Sequence, residues 1–253
     1  HLSLEELIKN LRFLRQNKIK NICLDTEGAQ VRTLKTKKRY FKINTKIKLS
    51  CIHKTKNNFI QLYPKFSLKK IKVKSKILIG FNGLRLEVTK VKDDKLDCRV
   101  VEPGYLESNK GVHIYSEITL DPLTQKDRKA IEIAKKFDVK IFALSFANNK
   151  TDISEIKKII PKKSIIISKI ETRKGFLNRV KIIKMSDAIL IDRGDLSRYI
   201  DIPKIPLAQR LIINDAKKLN KNIYVATNLL ETMIESNEPT RAESNDIFSS
   251  LEM

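Results

Sequence analysis

The residues most able to do chemistry close short apolar runs. Ser168-Lys169-Ile170-Glu171 ends one such run. In an extended strand i and i+2 point the same way, so Lys169 and Glu171 face one site. Taken alone, this pair reads better as a simple strand-end ion pair. The next run ends in Asp192-Arg193-Gly194-Asp195, where Gly194 permits a tight turn or close ligand approach. Asp195 and Glu171, from neighbouring strands, can share a hard divalent cation, because Mg2+ takes a few carboxylate oxygens and leaves room for substrate oxygens. Lys169 then offers a point positive charge to a phosphoryl group or enolate oxygen. Thr227 adds a hydroxyl at the following strand end, and Ser145 and Asp25 close two further runs. Lys, Glu, Arg-Gly-Asp and Thr on successive strand ends exceed what solvation requires. They suggest metal-assisted handling of a small anion.

These residues need elements to position them. Ser3 precedes Leu4, Leu7, Ile8, Leu11 and Leu14, a helical stripe with Glu5 and Glu6 in its first turn. Asn21-Ile22-Cys23-Leu24 then reads as a strand. From about 34 to 115 the chain changes to short alternating segments (FKINTKIKLS, NNFIQLY, SKILIG, LRLEVTKV, KLDCRVVE). These have the period of half-buried antiparallel strands, with turn signals at Asn57-Asn58, Phe81-Asn82-Gly83, Asp93-Asp94 and Pro103-Gly104. From about 116 onward the apolar strands KIFALSF, SIIISKIE, DAILIDRGDL and NIYVATNLLETM alternate with helical stretches, including QKDRKAIEIAKKF and PLAQRLIINDAKKLN. That rhythm means βαβ units and a parallel sheet covered on both faces.

A doubly wound sheet gathers its site at one crevice, whereas a βα barrel draws on many strand ends. Polar residues on five strand ends, and no Gly-rich phosphate fingerprint, favour the barrel. The expected fold is α/β: a TIM-type (β/α)8 barrel, incomplete in this chain, with an inserted small all-β lid. Residues 1–33 and 116–253 form barrel units and 34–115 the lid. A full barrel takes about 250 residues, and setting aside roughly 80 for the lid leaves five or six units, not eight.

Composition narrows the partners. The chain has 253 residues, 41% hydrophobic, with 52 Lys+Arg against 29 Asp+Glu and a formal charge of +23. The apolar share suffices for a real core. The charge invites an anionic partner, but the lysines are scattered between apolar residues and aromatics are only 6%. No nucleic-acid motif or stacking platform accompanies them. A nucleic-acid partner is therefore not expected. No apolar run approaches the ~18 residues of a membrane span, so no membrane partner is expected either. Cys23, Cys51 and Cys98 are dispersed and odd in number, which suits a reducing cytoplasm and offers no zinc spacing.

The same residues carry a resemblance. LDTEGAQVRT (24–33), SNKGVHI (108–114), SKIET (168–172), DRGDL (192–196), PLAQR (206–210), ATNLLETMIE (226–235) and PTRAESND (239–246) resemble, in order and spacing, the signature segments of pyruvate kinase. The resemblance implies a cytoplasmic glycolytic enzyme, a homo-oligomer, moving phosphate between phosphoenolpyruvate and ADP (pyruvate and ATP on the other side), with Mg2+ or Mn2+ and K+. It makes Lys169 the catalytic lysine, and Glu171 and Asp195 the metal ligands. Arg193, the Gly194 and Asp195 amides, and Thr227 would bind substrate, with Thr227 near the protonation site. Asp25 and Thr26 match monovalent-cation ligands, and Arg32 an arginine near the nucleotide phosphates. It also implies a phosphate-binding arginine segment before His1, and further barrel strands and a regulatory domain after Asp246.

The departures are local. Glu27 stands where a lysine is usual, and Ala29-Gln30 where the family has Pro-Glu. Asn82 stands where a lid aspartate is expected, Asp192 where a small residue is, and Ser197 where a glycine is. They leave open a Mg2+-dependent pyruvate or phosphoenolpyruvate enzyme of different reaction, and a non-catalytic relative.

Overall fold

The computed structural model describes residues 2–51, 59–80 and 83–253. The Asn57-Asn58 and Phe81-Asn82 turn positions, and His1 and His53, lie outside them. The chain divides into two compact units, residues 1–29 with 122–253, and residues 30–121.

Helix α1 (Leu4–Gln16) starts at a capping box: the Ser3 hydroxyl accepts the Glu6 N–H, and the Glu6 carboxylate accepts the Ser3 N–H. Its Leu7, Leu11 and Leu14 face the core, and β1 (Cys23–Asp25) follows. The smaller unit then runs through β2 (Val31–Thr33), β3 (Arg39–Phe41), β4 (Lys46–Ser50), β5 (Phe59–Tyr63), β6 (Lys76–Ile79), β7 (Leu84–Lys92), β8 (Lys95–Glu102), β9 (Gly104–Leu106) and β10 (Gly111–Ile114). Seven of these close a barrel in the order β10-β2-β5-β4-β8-β7-β6, and β3 pairs with β9 as a separate ribbon. Alternating side chains fill its interior, with Leu49, Leu62, Ile77, Leu84, Leu86 and Leu96 fully buried. Two details differ from expectation. β2 pairs with β5 and β10, so residues 31–33 belong to the small barrel. And β4 pairs with β5 in parallel, not as the antiparallel neighbour that alternation and a turn signal suggest.

The larger unit resumes with α2 (Gln125–Lys136), β11 (Ile141–Leu144), α3 (Lys150–Ile159), β12 (Ile165–Ile170), α4 (Arg173–Leu177), α5 (Arg179–Met185), β13 (Ala188–Asp192), α6 (Arg193–Leu196), α7 (Ile205–Lys218), β14 (Asn222–Ala226) and α8 (Arg241–Glu252). Its sheet is all parallel, in the order β1-β11-β12-β13-β14. Each strand beyond the inserted unit neighbours the next in sequence, with no reversal. That is the order of a βα barrel and excludes the switch-point crevice of a doubly wound sheet. The fold is α/β, a five-stranded part of a TIM-type barrel with an inserted closed β barrel.

Three runs end or break earlier than their hydrophobicity suggests. RGDL (193–196) leaves the strand and winds into one helical turn, capped by the Asp192 carboxylate on the Asp195 N–H. NIYVATNLLETM stops as a strand at Ala226, since Thr227, Asn228 and Leu230 all adopt left-handed φ (66°, 54°, 54°). The GFLNRVKIIKM helix divides at Asn178 into α4 and α5.

Candidate active site

Parallel strands deliver their C-terminal ends to one edge of the sheet, and those ends carry Asp25, Ser145, Lys169 with Glu171, Asp192 and Thr227. Lys169 is 9% exposed. Its ammonium donates to Asp25 Oδ2 and Ser145 Oγ, each at 3.1 Å, and lies 3.2 Å from Glu171 Oε1 as an ion pair. Burial alone would lower the Lys169 pKa, but the Glu171 and Asp25 charges prevail and hold it above the ordinary lysine value. Ser145 ties the group together, donating its hydroxyl to Asp25 Oδ1 (3.0 Å) and its N–H to Thr26 Oγ1 (3.0 Å).

Glu171 is 1% exposed. Its Oε2 accepts the Phe146 N–H at 2.5 Å, a group aimed by the left-handed φ of Phe146 (54°). Its Oε1 has only the ion-pair contact to Lys169 and accepts no hydrogen bond. Burial raises the Glu171 carboxyl above its ordinary value. Lys169 and the Phe146 N–H pull the other way, and Asp195 and Asp192 reinforce the rise. Among the described residues, one group of carboxylates has the spacing of a metal centre: oxygens of Glu171, Asp192 and Asp195 lie within 4.8 Å of one another. Hard oxygen donors around an under-bonded buried oxygen fit a divalent cation such as Mg2+. Asp25 and Thr26 fit a K+ ion less well: Asp25 is shared between Lys169 and Ser145, Thr26 accepts from Ser145, and two side chains do not enclose a monovalent ion.

At the next strand end the Thr227 hydroxyl accepts the Gly194 N–H (2.8 Å) and lies 3.0 Å from Asp192 Oδ1. Gly194 has no room to spare: a Cβ there would stand 3.2–3.4 Å from Asn228, Thr227 and Asp192 oxygens. Arg193 belongs to a different task. All five of its N–H groups are engaged, by both Asp246 oxygens (2.8 and 2.7 Å) and the Thr227 and Asn228 carbonyls. It locks α6 and the 227–228 turn to α8, leaving no donor for a substrate. Arg32 lies on β2 in the other unit, its Nη1 donating to the Asn109 carbonyl at 3.1 Å.

Sequence reasoning left two contributors without a role. Ser145 stood out as a strand end but had no assigned chemistry. Asp127, 3% exposed, accepts the Glu27 N–H (2.7 Å), the Gly28 N–H (3.2 Å) and the Thr124 N–H (2.9 Å), fixing the turn after β1. Its signal was the Thr-x-x-Asp capping box that opens α2. The unexpected Glu27 also has a partner, the Lys126 ammonium at 2.5 Å.

Comparison with known proteins agrees with this geometry. The family described as "Pyruvate kinase, barrel domain" matches residues 2–251. Proteins named pyruvate kinase from Thermotoga maritima and Dictyostelium discoideum are each 33% identical, over 98% and 97% of this chain and 55% and 51% of their own lengths. The one from Borreliella burgdorferi is 32% identical over 99% of this chain and 54% of its own. The chain spans about half the length of the curated relatives it matches. With the strand-end residues in place, the family match over nearly every residue shows that this chain belongs to the pyruvate kinase family.

Proposed function

We propose that this chain carries the phosphoenolpyruvate and metal half of a phosphotransferase that moves a phosphoryl group between phosphoenolpyruvate and ADP. The observation that supports it is the Lys169 ammonium, held by Asp25, Ser145 and Glu171 beside the carboxylates of Glu171, Asp192 and Asp195. Phosphoryl transfer asks the protein for positioning and charge neutralisation, not covalent chemistry. Lys169, kept protonated by its neighbours, stabilises charge developing on the phosphoryl group and the enolate oxygen. Glu171 and Asp195 would hold Mg2+ or Mn2+, which when bound neutralises charge on substrate oxygens. A substrate carboxylate would take over the Gly194 and Asp195 N–H groups that now donate to Thr227 and Asp192. Thr227 would then sit near the carbon that is protonated, and Arg32 would serve the nucleotide phosphates. Asp25 and Thr26 would contribute to a K+ site only with further donors.

A second reading keeps the metal and enolate machinery but changes the reaction. The Glu27–Lys126 ion pair favours it, because it puts a carboxylate where the resemblance expects a cation and neutralises a nearby lysine. Both readings are separated by assaying the protein with phosphoenolpyruvate, ADP, Mg2+ and K+ and following pyruvate. Turnover should fall by about 10²–10³-fold in Lys169→Met, whose folding is checked by circular dichroism. Wild-type turnover no higher than that variant refutes phosphotransfer. Mg2+-dependent pyruvate binding would then indicate the altered reaction, and no binding a non-catalytic relative.

A further inference from the structure

We infer that Asp192 is a third carboxylate ligand of the divalent cation. The inference rests on the metal reading of Glu171 and Asp195 and adds a ligand to it. The oxygens of the three residues stand within 4.8 Å of one another. Two oxygens across one ion at about 2.1–2.4 Å are separated by about 4.2–4.8 Å, so the three can share a single centre. The Asp192 carboxylate is also held in place. Its Oδ1 accepts the Asp195 N–H (3.1 Å) and lies 3.0 Å from the Thr227 hydroxyl. No hydrogen bond engages its Oδ2 among the described residues. Glu171 and Asp195 each have a cation beside them, Lys169 at 3.2 Å and Arg198 at 3.4 Å, whereas no Lys or Arg pairs with Asp192 among the described residues. A second observation points to a ligand: the buried Glu171 Oε1 accepts no hydrogen bond and has only the Lys169 ammonium, at 3.2 Å, beside it.

The competing role for Asp192 is that of a helix cap. An asparagine caps as well as an aspartate, since the acceptor oxygen is retained. The two roles therefore part at Asp192→Asn. Mn2+ is titrated into the protein with no organic acid present, and the free-ion electron paramagnetic resonance signal reports binding. Wild type should bind, and Asp192→Asn should weaken binding by about ten- to a hundredfold with an unchanged melting temperature. Asp192→Ser, which also keeps a capping oxygen but removes the carboxylate, should show the same loss and serves if the asparagine variant folds poorly. Binding by Asp192→Asn equal to wild type overturns the inference and leaves the two-carboxylate metal reading standing. Wild type that does not bind Mn2+ overturns both.

Discussion

A side chain is available to a ligand only if its polar atoms are not already committed, and by that measure the cations of this site differ. Arg193 has five donors and five uses, so its place in the RGDL motif marks a strut, not a substrate contact. Lys169 is engaged as well, but one of its acceptors, Asp25, is 57% exposed at the side chain and can yield to a phosphoryl oxygen. Glu243 shows the same accounting away from the site. Its carboxylate accepts from the Thr232 hydroxyl and N–H and from the Thr240 N–H, joining the 231–234 turn to the start of α8. The Thr232 hydroxyl leads these contacts in lowering the Glu243 carboxyl from 4.5 to about 2. A folded pKa below the unfolded one means stabilisation that is present above pH 4.5 and lost as pH falls through about 2. Amide exchange at Thr232 and Thr240 should therefore accelerate as pH drops from 4.5 toward 2, relative to the intrinsic rate. Glu243→Gln should already show the faster exchange at pH 7, and protection that is identical in the variant would refute the clamp.

The elements that aim the site are short turns as much as strands. The turn after β1 depends on Gly28, whose φ of +69° suits glycine and whose missing Cβ leaves space that would otherwise fall 2.4 Å from the Ser145 carbonyl oxygen. Asp127 then pins the Glu27 and Gly28 N–H groups from the first turn of α2. Gly28→Ala combines a left-handed penalty with overpacking, and should cost about 2–4 kcal/mol in urea unfolding. It should also weaken Mn2+ binding, because Ser145 orients the Asp25–Lys169–Glu171 group; a loss under about 0.5 kcal/mol would show that the turn relaxes freely. Strand ends of this kind were legible in the sequence. Lys169 and Glu171 follow from a period of two, and Asp192 and Thr227 from where apolar runs stop. What was not legible is who partners whom. Arg193 sits between Asp192 and Gly194, and only the fold brings Asp246 to it; Asp127 reads as an ordinary cap until β1 is folded against α2. The Thr227 turn was missed for a related reason: apolar residues continue past Ala226, but the backbone turns left-handed there.

At the scale of the whole molecule, the two units close separate cores. One gathers Leu24, Phe142, Ile166, Ile189 and Ile212 between sheet and helices, the other Leu49, Leu62, Ile79, Leu86 and Val100 inside the small barrel. Alternation announced the small unit's strands but not its closure, because a period of two fixes which face is buried and says nothing about partner order. The parallel β4–β5 pair is the clearest case. Closure has a consequence that can be measured. A barrel leaves few unpaired edges, so it needs no partner sheet to satisfy its backbone. Its ends also meet: β2 pairs with β10 through Val31 with Val112 and Arg32 with Gly111, so the chain enters and leaves the unit side by side. Cutting there opens no ladder. Residues 30–121 expressed alone should therefore fold, with one cooperative urea transition of slope about 1 kcal/mol per molar or steeper and dispersed amide resonances. A broad, non-cooperative transition, or collapsed resonances in the Leu49–Leu86 core, would mean that this barrel depends on the rest of the chain.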